Sequence, residues 1–340
     1  GRAGQAISLH RSKARMTRPS DHPIVIALLG PTGVGKSRLA AMLAPLLEAE
    51  IVSVDSMQIY RGMDIGTAKI DSENRRRVPH HLLDIVDPSQ SFSVADFQKA
   101  ARHAIEDIDA RKKVPFLVGG TGLYFEAAIL DMRFPPDSAD GALRRRIEAW
   151  AARDPDGLRK KLAEVDPEFA AGESLNNMRR AIRAMEVNKS TGRPFSSFKQ
   201  SGCRAYYPYA GAVIDMPRPL LYEAIEQRVD EMMQAGLLDE IAGLKRHGSL
   251  SRTAAQALGY KEILEHLEGR KTLEESIAEI KQRSRRYAKR QITWFRHIPD
   301  LHWFDLREED ISNPSAISEM IREYFLREIK RLGERAGYGA

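Results

Sequence analysis

A single cysteine, Cys203, occurs in the 340 residues, so the chain forms no internal disulfide and no cysteine-based zinc site. A reducing, cytoplasmic compartment is therefore expected. No apolar run approaches the roughly eighteen residues that cross a bilayer, so no membrane partner is expected either. Acidic residues are missing at two informative places. After the apolar run Phe116-Leu117-Val118, many ATP-hydrolysing motors carry a carboxylate that holds Mg²⁺ and organises water. Here Gly119 stands in that place, which argues against a processive ATPase. Between Lys281 and His297 there is again no acid, while seven cations crowd the stretch: Lys281, Arg283, Arg285, Arg286, Lys289, Arg290 and Arg296. Residues 1–15 also lack acids and precede Met16; they read as a tag or upstream segment and are left out of the fold.

What is present is ordinary for a globular protein, with 42% apolar residues and length enough for one large domain or one carrying a second. The net charge of +6 points to an anionic partner only where the charge is clustered.

The strongest local pattern is Gly30-Pro31-Thr32-Gly33-Val34-Gly35-Lys36-Ser37, set between the apolar run Ile24–Leu29 and a helix beginning near Ser37. It matches G-x-x-x-x-G-K-[ST], the phosphate-cradling loop between strand and helix. Its glycines let backbone N–H groups point inward, the helix start adds a positive dipole end, Lys36 adds a point charge, and the Ser37 hydroxyl is a Mg²⁺ ligand. Taken alone the loop reads as nucleotide- or ATP-binding. It does not say which phosphate it holds.

A second strand, Ile51–Val54, ends at Asp55. In open parallel sheets the carboxyl ends of strands face the ligand, so Asp55 is expected beside the loop, with a cap on the following turn as the alternative. Arg61 to Gln90 shows no clear period and reads as loop, and His80-His81 has no surrounding ligand pattern. A helix from Ser93 to about Ala110, the strand Phe116–Val118 and a helix from Leu123 follow. From Phe134 the texture changes: Leu143, Ile147 and Trp150, then Met178, Ala181, Ile182 and Met185, recur at helical spacing among arginines. This predicts a small helical insertion over 134–205. Strand character returns at Gly211–Asp215, and Pro219 opens a helix that places Arg228 among Tyr222, Ile225, Val229, Met232 and Met233. That arginine needs either an anion or an internal carboxylate. From Thr272 to His297, Ile277, Ile280, Tyr287, Gln291, Trp294 and Ile298 form a core stripe. The cations around it, interleaved with Tyr287, Trp294 and Phe295, suit a nucleic-acid backbone with a base nearby. A last strand at Leu301–Phe304 and a terminal helix and tail over 311–340 complete an α/β fold. Its P-loop parallel sheet, residues 20–133 and 206–310, is flanked by helices and carries a small all-helical insertion domain.

The glycine loop followed by Asp55-Ser56-Met57-Gln58-Ile59-Tyr60-Arg61-Gly62-Met63-Asp64-Ile65-Gly66-Thr67-Ala68-Lys69 resembles the tRNA dimethylallyltransferase (isopentenyltransferase) family. Val118 to Tyr124, Ala257 to Glu262 and Lys289 to Arg296 extend the likeness from about Ile24 to Phe304. The resemblance implies transfer of a dimethylallyl group from dimethylallyl diphosphate to N6 of adenosine 37 in the tRNA anticodon stem-loop. Mg²⁺ on Ser37, a cytoplasmic location and a monomer are expected alongside it. On this reading the loop from Gly30 to Ser37 (Gly30, Pro31, Thr32, Gly33, Val34, Gly35, Lys36, Ser37), with Arg228, grips the leaving diphosphate; Arg218 is the alternative to Arg228. Lys36 and Thr32 belong to the catalytic set, and Asp55 is the general base. The resemblance further implies tRNA contacts from Asp55, Ser56, Met57, Gln58, Thr121 and Arg144, and from Asn176, Asn177, Met178, Arg179 and Arg180 in the insertion. The same role is implied for Gln256, Ala257, Leu258, Gly259, Tyr260 and Lys261, and for Lys289, Arg290, Gln291, Ile292, Thr293, Trp294, Phe295 and Arg296. One cysteine forbids the zinc finger common in eukaryotic members, so the chain looks bacterial in type. A P-loop kinase of a small metabolite shares the loop and the acid after the second strand but leaves the basic helix unexplained. A nucleic-acid-dependent ATPase explains that helix but lacks the strand-end acid, and a nucleotide-level, cytokinin-forming isopentenyltransferase needs neither insertion nor basic helix.

Overall fold

Apolar runs without alternation suit strands covered on both faces, and the Val25–Leu29 strand (β1) is buried at all five positions. The computed structural model describes residues 22–136, 141–198, 204–248 and 250–336; the segment 1–15 and Cys203 lie outside these. Around β1 are ranged Ala49–Val54 (β2), His80–His81 (β3), Val114–Gly119 (β4), Tyr209–Asp215 (β5) and Leu301–Asp305 (β6). All pair in parallel, in the order β3-β2-β4-β1-β5-β6. This is the expected parallel α/β sheet, with β3 as an addition. Two residues carry no period, so the pairing of His80 and His81 with Ile51 and Val52 was invisible in the sequence.

Chain order reverses around β1, which is flanked by β4 and β5. That creates a crevice beyond the carboxyl ends of the strands, where ligands bind in open α/β sheets. Gly30, Asp55, Gly119 and Asp215 all sit at or just past strand ends there. One face of the sheet is covered by the Lys36–Leu46 and Pro314–Ala336 helices, through Leu39, Leu43, Ile321 and Phe325. The opposite face is covered by Val94–Ala110 and Gly122–Ile129, through Phe97, Ile105 and Phe125. Ser93 starts the first of these with a reciprocal capping box to Asp96, as its Ser-x-x-Asp spacing allows.

A third cluster lies over the crevice, where the helices Arg218–Gln234, Leu237–His247, Tyr260–Leu267 and Leu273–Arg296 pack on Ile59, Tyr60 and Met63. The Leu273–Arg296 helix buries Ser276, Ile280, Ser284, Ala288, Gln291, Ile292 and Phe295. Its inner stripe thus contains small residues that allow close approach, while Trp294, expected in the core, stands 37% exposed.

The insertion comprises Gly141–Arg153, Pro155–Val165, Pro167–Ala170 and Met178–Thr191 around its own core of Ile147, Leu158, Leu162, Ala181 and Met185. Pro155 and Pro167 start helices behind the capping carboxylates Asp154 and Asp166, where a missing N–H costs nothing. The chain leaves and re-enters the sheet unit at one place: Leu130 bridges Ala205, and Asp131 N–H donates to Arg204 O at 2.9 Å.

Candidate active site

The glycine loop lies where its pattern predicts, and two positions show why only glycine serves. A Cβ on Gly30, at φ +151°, would stand 2.5 Å from Ile214 O; one on Gly33, at φ +86°, would stand 2.8 Å from Ile225 Cγ1. The loop therefore nests against β5 and the Arg218–Gln234 helix, and that helix brings Arg228 to it. Arg228 Nη1 donates to Thr32 Oγ1 at 3.0 Å. Among the described residues no carboxylate lies within ion-pair distance of Arg228, so the internal ion pair considered for it is not formed. Arg218 is the one so occupied, donating to both Asp215 oxygens at 2.7 and 2.8 Å.

Lys36 donates to Pro31 O at 2.6 Å. Burial and the neighbouring Arg228 cation lower its pKa to about 7, against the pull of Asp55. Burial likewise works against the Arg228 charge, with Asp55 and Glu231 supporting it. Two cations held together in a desolvated crevice, without a carboxylate bonded to either, describe a place built for an anion.

Asp55 satisfies both readings of its position. Oδ1 accepts the N–H groups of Met57 at 2.8 Å and Gln58 at 3.3 Å, capping the turn. The carboxylate also lines a cavity of about 280 Å³ together with Thr32, Arg228, Tyr287 and Arg290. The apolar walls are Ile225, Val229, Met232, Leu258 and Ile280. A larger cavity of about 830 Å³ opens on the other side, over Lys36 and Ser37, and the two share Arg228 and Met232. Thr121, ahead of the Gly122–Ile129 helix, accepts the Ser56 N–H on Oγ1 at 3.2 Å. Gln58 receives from Ser53 Oγ at 3.1 Å and donates to Thr67 O at 3.1 Å, so its side chain braces the turn. Burial and the nearby Asp55 push the Tyr287 phenol up to about 12; it enters as a neutral wall.

Two supports were not foreseen. Gln291, placed in the core stripe by its spacing and among the RNA contacts by the resemblance, is buried: Oε1 accepts the Thr32 N–H at 2.8 Å and Nε2 donates to Gly120 O at 2.9 Å. A glutamine in an otherwise apolar buried stripe was the available signal. Glu240 accepts from the N–H groups of Asp64, Ile65 and Gly66 at 2.9, 2.7 and 3.2 Å and from the Tyr260 hydroxyl at 2.5 Å, pinning the loop that carries Gly66 and Thr67 to the cavity. Lys69, almost fully buried, is held by Asp64 at 2.8 Å and Asp84 at 2.5 Å.

The basic helix is corrected in part. Lys281 pairs with Asp230 at 2.7 Å, Arg283 with the buried Glu262, and Arg285 with Glu226, all from other elements. That leaves Arg286, Lys289, Arg290 and Arg296 exposed, with Thr293 and Trp294 between them, on one outward face. Trp294 lies over Gly122, its indole N–H donating to Glu126 at 2.9 Å. Ile292 and Phe295 face the core, as does Tyr260, so their side chains belong to no surface. Gln256, Ala257, Leu258 and Gly259 line the smaller cavity, whereas Lys261 turns to Glu265 at 3.8 Å. In the insertion, Arg144 is shared between Glu148 and Glu186 at 3.1 and 3.2 Å. Asn176, Asn177, Arg179 and Arg180 are exposed there, Asn177 capping the Met178–Thr191 helix, and Met178 is half-buried against the insertion core.

The family model described as IPP transferase matches residues 58–298. The tRNA dimethylallyltransferase of Geobacillus thermodenitrificans is 46% identical over 304 residues, covering 88% of this chain and 95% of the relative. That of Bacillus licheniformis is 48% identical over 287 residues, covering 84% and 91%. Among solved structures, the full-length tRNA isopentenylpyrophosphate transferase of Bacillus halodurans aligns with a TM-score of 0.69 at 42% identity, over 92% of this chain and 98% of the other. A eukaryotic dimethylallyltransferase acting on tRNA aligns with a TM-score of 0.75 at 29% identity, over 88% and 78%. Sheet order, glycine loop and these likenesses agree: the chain belongs to the IPP transferase family.

Proposed function

We propose that this protein transfers a dimethylallyl group from dimethylallyl diphosphate to N6 of adenosine 37 in tRNA. The observation that carries the reading is the pair of cavities meeting at Arg228, one over Lys36 and Ser37, the other lined by Asp55 and apolar side chains. In this reading the diphosphate sits on the loop N–H groups between Lys36 and Arg228. The five-carbon group lies along Ile225, Val229, Met232 and Ile280, and the adenine enters on the Asp55 side. As the C–O bond breaks, its electron pair leaves with the diphosphate, where fixed positive charge stabilises it. The N6 lone pair forms the new C–N bond while the N6 proton passes to the Asp55 carboxylate. The amine is a weak nucleophile because its lone pair is delocalised into the ring, so a proton acceptor at N6 acts on the difficult part of the reaction. The base must leave its stack to reach the cavity.

Mg²⁺ is part of the proposal. The chain offers the exposed Ser37 hydroxyl, and among the described residues no cluster of three or more His, Cys, Asp or Glu stands ready for a metal. That donor set fits an ion held mainly by diphosphate oxygens and water, which would add positive charge to the leaving group. All these residues come from one polypeptide, so a monomer suffices. Among the described residues no helix is long and apolar enough to cross a membrane, and tRNA as acceptor accords with a cytoplasmic location. The exposed face of Arg286, Lys289, Arg290 and Arg296 supports an RNA acceptor over a free nucleotide or a small metabolite.

The test incubates the protein with dimethylallyl diphosphate, Mg²⁺ and unmodified tRNA bearing adenosines 36 to 38, without ATP, and analyses the nucleosides by mass spectrometry. A dimethylallyl adduct on adenosine 37 is expected. Its absence, with ATP-dependent turnover in the absence of RNA, would replace this reading with a kinase.

A further inference from the structure

A cavity of about 650 Å³, sharing no lining residue with the two cavities of the crevice, lies between the sheet unit and the helical insertion. Leu123 and Phe134 wall it from the sheet side; Phe195, Phe198, Arg144 and Arg180 wall it from the insertion. The rings are held open by their own supports. Phe195 meets Phe169 edge-on with centroids 5.7 Å apart, and the buried Asp166 accepts the Ser196 N–H at 2.8 Å, fixing the turn that presents it. The Arg193 guanidinium lies 4.6 Å over the Phe198 ring.

The charge of the lining is lopsided. Among the described residues it contains Arg133, Arg144, Arg180 and Arg183 against one carboxylate, Glu168. Arg144 and Arg183 lean on Glu186 from behind. Arg180 is steadied by the Ser174 hydroxyl at 2.9 Å and, like Arg133, has no carboxylate partner among the described residues. Ring faces inside and unneutralised guanidinium groups at the mouth match a flat heteroaromatic ring attached to a phosphate, the combination that binds unpaired nucleotides. An apolar peptide or a lipid chain would leave those cations unanswered. The cleft also adjoins the proposed reaction centre: Leu123 follows two residues after Thr121, whose hydroxyl oxygen holds the Ser56 N–H beside Asp55.

We propose that this cleft is a second nucleobase pocket, which takes the base of an unpaired nucleotide neighbouring the acceptor adenosine. The inference rests on the RNA-alkylating reading above, and it gives the insertion a direct part in holding the loop splayed while the acceptor base is in the crevice.

The experiment uses the whole protein and an RNA hairpin with a seven-nucleotide loop containing the three adenosines, with affinity read by fluorescence anisotropy. Phe198→Ala is expected to weaken hairpin binding on the order of 10-fold, Phe198→Tyr to restore it, and Arg180→Gln to weaken it and flatten its salt dependence. Hairpins made abasic at one loop nucleotide at a time then locate the base. One position other than the acceptor should weaken wild-type binding by about the factor that Phe198→Ala does, and should cost Phe198→Ala nothing further. An abasic scan of the wild type in which no such position matters overturns the proposal, and does so even if Phe198→Ala fails to fold. So does a Phe198→Ala protein of unchanged melting temperature that binds as tightly as wild type. A wild type that neither binds nor alkylates the intact hairpin refutes instead the RNA-alkylating reading itself.

Discussion

Gln291 holds Thr32. The amide oxygen of a residue on the basic helix accepts the N–H in the middle of the glycine loop at 2.8 Å, and the same amide donates to Gly120 at the end of β4. The phosphate loop, the neighbouring strand end and the helix carrying the exposed cations are thus joined by one side chain.

Replacing Gln291 by Leu leaves the half-buried Thr32 N–H and the buried Gly120 carbonyl unpaired, the latter alone a loss of roughly 1–3 kcal/mol. The expected outcome is a lowered melting temperature by calorimetry and a raised KM for the allylic diphosphate. Affinity for RNA alone should stay within about two-fold, because the Gln291 side chain is buried and bonded to the loop. A large loss of RNA affinity with an unchanged KM for the diphosphate would return Gln291 to the role of RNA contact.

Asp55→Asn retains an oxygen able to cap Met57 and Gln58 but not the basicity needed to take a proton. Its transfer rate is expected to fall by about 10²-fold or more, with melting temperature and RNA affinity near those of wild type. A variant as fast as wild type in single-turnover assays would make Asp55 a cap and nothing else.

Lys36 ties diphosphate binding to pH. With its pKa at about 7, the ammonium is half charged near pH 7, fully charged well below it and progressively neutral above it. An arriving anion favours the charged form and raises that pKa, so binding above pH 7 takes up a proton. Affinity for inorganic diphosphate should therefore weaken as pH rises past 7, by up to about tenfold per unit until the bound-state pKa is reached. Isothermal titration calorimetry at pH 8 in buffers of different ionisation enthalpy would count the proton. Zero uptake in wild type, or equal uptake in Lys36→Met, would contradict the assignment.

The two classes of cation on the Leu273–Arg296 helix separate experimentally. Lys289→Ala and Arg296→Ala should each reduce the slope of log K against log salt for RNA binding by about 0.7 to 0.9. Lys281→Ala and Arg285→Ala should leave the slope unchanged, since Asp230 and Glu226 already occupy those charges. Equal slopes for all four variants would erase the distinction drawn from the ion pairs.

Local chemistry was legible in the sequence and distant partnership was not. The glycine loop announces itself because its backbone geometry excludes other residues at Gly30 and Gly33, and Asp55 because a strand end is a place as well as a residue. The insertion was legible through the helical spacing of its core. By contrast, the basic helix looked uncompensated because Asp230, Glu226 and Glu262 are supplied by other helices. Gln291 meets Thr32 across 259 positions and Glu240 meets Gly66 across 174, distances over which composition and period say nothing. Trp294 was assigned to the core by its spacing, whereas Gly122 gives it a shelf at the surface.

The bridge between Leu130 and Ala205 makes the insertion an appendage to the sheet, not a part of it. Because the insertion departs and returns through one antiparallel contact and keeps its own apolar centre, it is a cassette seated on a stem. A short turn joining the two sides of that stem would close the sheet unit over all six strands. The six strands are thus all supplied from outside the cassette, and the crevice at their carboxyl ends is framed without it.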